Sequence, residues 1–149
     1  MITESITLTG KVNIIHLDQF GDTKDEIHID NLVVTAGKTV IASRLAGNTS
    51  PIMSRMGVGT GVAAATIADT SLGTAIAAGN VVLDSTTAST NTITYVATFP
   101  AGTGTGAITE AGIFNGFPGV GSMLCRTVFS AVNKAAGDVI VITWVVSVS

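Results

Sequence analysis

Charge is what this chain has least of: Asp, Glu, Lys and Arg make up 11% of its 149 residues, against about 25% in an ordinary soluble domain. Positive charge is the scarcer kind. Seven Lys and Arg stand against ten Asp and Glu, a formal net charge of -3, so the basic face that a nucleic-acid binder needs is excluded. Cys125 is the single cysteine, which excludes an internal disulfide and frees the fold from any need for an oxidising compartment. Long apolar runs are absent too. The longest, such as 139–142 and 144–146, fall far short of the roughly 20 residues of a spanning helix. The opening residues Met1, Ile2, Thr3, Glu4 and Ser5 show neither the basic start nor the apolar stretch of a secretory signal. No membrane role is expected.

What is present is hydroxyl and aliphatic. The chain carries 22 Thr, 11 Ser and 17 Gly, and 46% of it is hydrophobic. A length near 150 predicts one domain with a core large enough to need no metal or disulfide. With so little charge, its surface must be covered by uncharged polar groups or by other chains. The charge is also unevenly placed. Residues 1–30 hold Glu4, Asp18, Asp22, Asp25, Glu26 and Asp30 against Lys11 and Lys24, and the remainder of the chain is nearly uncharged. Two parts are therefore predicted, an acidic N-terminal arm or hairpin over 1–30 and a body over 31–149. The arm reads either as a solvated hairpin edge or as an extension that reaches a neighbouring subunit.

Periodicity predicts a mainly β protein, an antiparallel β-sandwich or open barrel with one short helix. Ile6, Leu8, Val12, Ile14 and Leu17 read as strand with a turn at Gly10 and Lys11, and Ile27 and Ile29 as a second short strand. Val40, Ile41, Arg44 and Leu45 fall at helical spacing, which predicts a helix over about 35–46 with Thr35 as N-cap and Gly47 as the left-handed residue beyond its end. Further strands are expected at 52–58, 80–85, 92–99, 107–115, 122–130 and 138–148, separated by Gly-rich breaks, with a small-residue loop over 60–79. In 92–99 the residues Ile93, Tyr95, Ala97 and Phe99 share one face and Thr92, Thr94, Val96 and Thr98 the other, the pattern of a half-buried strand. The last strand differs. Ile140, Ile142, Trp144 and Val146 form one apolar face, and Val139, Val141 and Val145 make the other apolar as well. Such a strand must be covered on both sides, by its own arm or helix or by another subunit. Val139, Val141, Val145 and Trp144 are thus the candidate subunit interface, and a homo-oligomer such as a trimer is expected.

Catalytic and ligand motifs are mostly missing. Gly57-x-Gly59-x-Gly61 is one residue short of the dinucleotide fingerprint and no amphipathic helix follows it. Gly37-Lys38-Thr39 has Leu32 where a phosphate loop needs its first glycine. His16 and His28 lie near Asp18, Asp25, Glu26 and Asp30, either as a loose divalent-cation site or as edge histidines, without the spacing of a dedicated metal site. Cys125 sits within an apolar strand run and reads as a buried small hydrophobe. Glu110 and Arg126 stand out, one charge at the centre of each of two strands expected to be neighbours, and charges placed so pair across the ladder. No cofactor, metal or catalytic residue is expected.

A resemblance adds to this reading. Asn31 to Lys38 with Leu45 to Gly47, the loop Val58 to Gly61 with Ala68 to Gly73, the stretches Tyr95 to Gly102 and Ile108 to Asn115, and the closing Met123 to Trp144 together resemble small virion proteins of tailed bacteriophages. The similarity covers about 31–149; residues 1–30 fit no part of it. It implies a β-sandwich-like fold, no catalysis, and a place in the particle, assembled in the bacterial host cytoplasm. The role would be capsid decoration (cement) on the major capsid protein shell, head fibre, or a tail, collar, baseplate or fibre component contacting tail proteins. It also places Glu110 and Arg126 at matching positions as a structural pair. From a different class, a carbohydrate-binding module would use Tyr95, Phe117 and Trp144 as platforms.

Overall fold

The computed structural model describes residues 2–149. Nine strands and one helix follow in the order β1 (Leu8–Leu17), β2 (Thr23–Val33), α1 (Thr35–Leu45), β3 (Arg55–Gly59), β4 (Ala75–Val82), β5 (Ser85–Ser89), β6 (Thr92–Phe99), β7 (Gly106–Phe114), β8 (Met123–Lys134) and β9 (Val139–Val148). All pairings are antiparallel and make one sheet of order β4-β3-β7-β8-β2-β1-β9-β6-β5, curled into a half-barrel. Among the described residues the fold is mainly β with one helix, and no helix is long and apolar enough to cross a membrane.

The inner face of the curl holds the core. From one half come Val12, Ile14, Tyr95, Ala97, Phe99, Ile140, Ile142 and Trp144, and from the other Met56, Val58, Ile113 and Cys125, all in one cluster. Strand alternation places them there. Val12 stands opposite Trp144, Ile14 opposite Ile142, and Tyr95 opposite Trp144 on its other side, so these residues share a face.

The acidic segment is not at an edge. β1 and β2 form a hairpin seated at the centre of the sheet, with β1 paired to β9 along its whole length and β2 joined to β8. β2 runs without a break across position 30, so the shift in composition marks no boundary in the fold. Alternation makes this possible: Glu26, His28 and Asp30 are exposed while Ile27 and Ile29 between them pack against the core. Nor is there a turn at Gly10. Gly10 lies opposite Asn31 within β1, and a Cβ there would overlap the Asn31 carboxamide, so the glycine serves close approach and not chain reversal.

The helix lies where periodicity puts it, with Gly47 at φ +79° just past its end. Its N-cap is Val34 and not Thr35, and no side chain caps it. Instead the Thr35 N–H donates to the Ile67 carbonyl at 2.9 Å, a cap supplied by a distant loop. Gly37 lets the helix lie directly on β8, since a Cβ there would strike the Leu124 backbone. Two strands depart from expectation. β4 begins at Ala75, within the expected loop, and β5, hydroxyl-rich and exposed throughout, was not anticipated.

Candidate functional site

On the outer face of β7 and β8 the chain gathers buried charge. Arg126 stands opposite Gly112 and Glu110 opposite Val128, so the two are diagonal neighbours across the ladder, a separation that a long guanidinium spans. Nε of Arg126 donates to Oε2 of Glu110 at 2.9 Å, and Nη2 lies 2.9 Å from the same oxygen. Glu110 is 0% and Arg126 2% exposed.

The carboxylate is enclosed by backbone N–H groups of the loop 60–74. Gly61 donates to Oε1 at 2.9 Å, Thr74 to Oε1 at 2.7 Å and Gly73 to Oε2 at 2.8 Å. Gly59 lies opposite Glu110 on β3, and a Cβ at either Gly59 or Gly61 would run into the carboxylate. The Gly-x-Gly-x-Gly run is therefore a cradle for a carboxylate of the same chain, built on the same principle as an anion nest. Arg126 carries the network outward. Nη1 donates to Oδ2 of Asp69 at 2.7 Å and Nη2 to the Ala63 carbonyl at 3.1 Å, while Asp69 accepts from the Thr66 N–H and hydroxyl at 2.9 and 2.8 Å. The loop is thus held at both ends and in the middle. Beneath it Leu72 packs with Val34, Phe114 and Met123 in a second small core.

Burial by itself would push the Glu110 carboxyl up. The Thr74 and Gly73 N–H groups, the Arg126 guanidinium and the Gly61 N–H outweigh it and hold the group below its ordinary range. Burial opposes ionisation of Asp69 too, and the Thr66 N–H and Arg126 overcome it; Arg126 itself is raised by Asp69 and Glu110 against its own desolvation. With both oxygens of Glu110 accepting, the arrangement is suited to fastening a loop. It has no lone pair poised to take a substrate proton.

A second buried cluster was missed in the sequence. Oδ2 of Asp138 accepts from His16 Nε2 at 2.8 Å, Lys24 Nζ at 2.9 Å and the Ala135 N–H at 2.9 Å. Lys134, 2% exposed, donates Nζ to the carbonyls of Pro100 and Asp138 at 3.0 and 2.6 Å. Lys24, the Ala135 N–H and His16 hold the Asp138 carboxyl far below its ordinary value. Burial pulls the Lys134 ammonium down, opposed by Asp138. The only hint in the sequence was the Lys134-Ala-Ala-Gly-Asp138 turn before an apolar strand. This arrangement also separates the two histidines. His16 faces inward to Asp138, and His28 is an exposed residue 3.2 Å from Glu26. Among the described residues no group of three or more His, Cys, Asp or Glu side chains is placed to hold a metal ion.

The candidate interface residues divide between the two faces of β9. Val139, Val141 and Val145 lie half-buried on the outer face, opposite Leu17, Ile15 and Lys11 of β1. Trp144 does not belong with them. It is 0% exposed and fills the inner core of its own chain, so it has no surface to offer a partner. Neither segment that could have covered the outer face does so: the arm is a neighbouring strand in the same sheet, and α1 packs on β8. The proposed aromatic platforms are also dispersed. Tyr95 and Trp144 are buried, and Phe117 carries the Arg55 guanidinium 3.7 Å from its ring centroid. Comparison with known proteins adds no family: no family model, no curated protein and no solved structure matches the chain.

Proposed function

We propose that this chain is a non-enzymatic structural protein of a tailed-bacteriophage virion, and within that class a capsid decoration (cement) protein that binds the major capsid shell and other copies of itself. The observation that carries the reading is the outer face of β9 and its neighbours. Val139, Val141, Ile15 and Leu17 form an apolar stripe that no other element among the described residues overlies, with Val145 set apart from it by Thr143 and Asn13, beside the hydroxyls of Thr94 and Thr98 on β6. A stripe of this kind on a chain so poor in charge fits an interface buried against neighbours. The buried charges support the non-enzymatic part of the proposal, because Glu110, Arg126, Asp69 and Asp138 are committed to holding loops and turns. The resemblance of 31–149 to phage virion proteins supports the same class.

The test is to count copies in purified particles and to measure binding of the purified protein to empty capsids. Hundreds of copies with capsid binding is the expected result. A few to tens of copies reassigns the chain to the tail, collar, baseplate or fibre, and absence from particles overturns the proposal.

A further inference from the structure

A groove of about 540 Å³ opens at the end of the sheet where β1 and β6 begin and β9 finishes, between that end and the exposed flank of α1. Leu8, Ile93, Val146 and Val148 of the sheet face Val40 and Ile41 of the helix across it. Leu45 and Ile52 stand at its side, 81% and 65% exposed. Arg44 is the one charged side chain lining it among the described residues; it is exposed and gives one N–H to the Ser50 carbonyl at 2.9 Å.

The segment that fits this groove leaves the sheet at the same end. Thr7 and Ser149 exchange backbone hydrogen bonds of 2.6 and 2.9 Å, and residues 2–6 then continue beyond the ladder. Ile2 is 91% and Ile6 74% exposed, and Glu4 is the only charge between them. The segment is therefore a strap with an isoleucine at each end and one carboxylate between them, complementary to an apolar groove with one guanidinium. It is badly made for entering its own groove, because that requires reversing direction just before Leu8. Ile2-Thr3-Glu4-Ser5-Ile6-Thr7 has no Gly, Pro, Asn or Asp to turn with and Ser5 alone of the weaker turn formers, and its Ile and Thr residues favour extended backbone. Fully extended, six residues reach about 20 Å.

We infer that residues 2–6 of one copy dock in the groove of a second copy, with Ile2 and Ile6 in the apolar trough and Glu4 against Arg44. Strap and groove lie at the same end of the molecule, so a single two-fold axis lets two copies exchange straps reciprocally and closes the assembly as a dimer. This dimer deepens the self-association part of the proposed function and rests on it; binding to the capsid involves the outer face of β9 instead.

The experiment uses the full-length protein. Ile6→Cys protein is mixed with Ile52→Cys protein under mild oxidation, with each variant alone and the unaltered protein as controls for the buried Cys125. A disulfide-linked dimer formed more efficiently in the mixture than in either variant alone is expected, and it can arise only between copies. Light scattering is expected to show a dimer at micromolar concentration. Ile6→Asp, at an exposed position, should raise its dissociation constant about a hundredfold or more, since each dimer loses two buried isoleucines. Glu4→Lys should weaken the dimer, and Arg44→Glu in the same chain should restore it. An oligomer that survives Ile6→Asp with no cross-link in the mixture overturns strap exchange and leaves self-association standing. A cross-link found only within an Ile6→Cys/Ile52→Cys chain means the strap closes on its own groove, and overturns the exchange. A monomer under all conditions overturns both.

Discussion

Replacing Glu110 by Ala should release the loop 60–74 and remove a large share of the stability of the fold. The wild-type carboxylate accepts hydrogen bonds from Gly61, Gly73, Thr74 and Arg126 within a site that is 0% exposed. Its loss leaves three amides unpaired and Arg126 with Asp69 as its remaining counter-charge. Removing one partner of a buried ion pair costs about 3–5 kcal/mol, about a fifth or more of a typical total of roughly 5–15 kcal/mol. For a chain of this length that is a fall in Tm of roughly 6–20 °C. Urea denaturation and calorimetry measure the loss, and amide hydrogen exchange locates it. Gly61, Gly73 and Thr74 should lose protection first. Thr35 should follow, because its N–H is capped by Ile67 of the same loop, so loosening the loop also frays the first turn of α1. A stability change below about 1 kcal/mol, the range of an exposed ion pair, would refute the reasoning, as would an unfolding shift with the loop amides still protected.

Gly61→Ala should destabilise by about 1–3 kcal/mol in the same denaturation assay, because its Cβ would push on a carboxylate that three other donors hold in place. Acid should unfold the protein through both buried clusters. Asp138 and Glu110 have folded values below their ordinary 3.8 and 4.5, so the stability they contribute is full above those values and is lost as pH falls through the depressed ones. Urea midpoints should accordingly drop below about pH 4, and the drop should shrink in Asp138→Asn. Cys125 is fully enclosed and burial pushes its thiol well above the ordinary range, so a thiol reagent at pH 8 should modify it only at the rate of unfolding. Val141→Asp on the outer face of β9 should leave the Tm within a few degrees and abolish binding to empty capsids.

The parts of the fold that were legible in the sequence are those where alternation or helical spacing reports burial directly. β6 and β9 could be bounded to within a residue because their inner faces are apolar and a glycine-bearing break follows the one and precedes the other. α1 was legible from Val40, Ile41, Arg44, Leu45 and Gly47. Glu110 and Arg126 were noticed because isolated charges inside apolar strands are costly unless satisfied. Their third partner, Asp69, and the four loop and backbone groups around them were not legible, since contacts between positions 36 to 63 residues apart leave no local pattern. β5 escaped for a related reason. It is Ser-Thr-Thr-Ala-Ser, exposed throughout, and is a strand because β6 offers it a ladder. The centre of the sheet was misread as an edge because composition records which residues face water, and a central strand in a one-sided sheet faces water along its entire outer side.

That one-sidedness also places the shortage of charge. The outer face of the β3-β7-β8 half is covered by the chain's own loop, and the ions fastening it are buried, so they add little to the charge of the surface. On the other half, β2 meets solvent with Glu26, His28 and Asp30, and β9 and β6 meet it with valines and threonines. The low charge of the body is thus divided between a half that has internalised its ions and a half whose strands β6 and β9 carry none. Only the second has an outer surface whose apolar groups remain to be covered. Any contact made there is driven by apolar burial, to which ionic screening does little. The acidic strand β2 beside that surface would repel a like-charged neighbour brought against it.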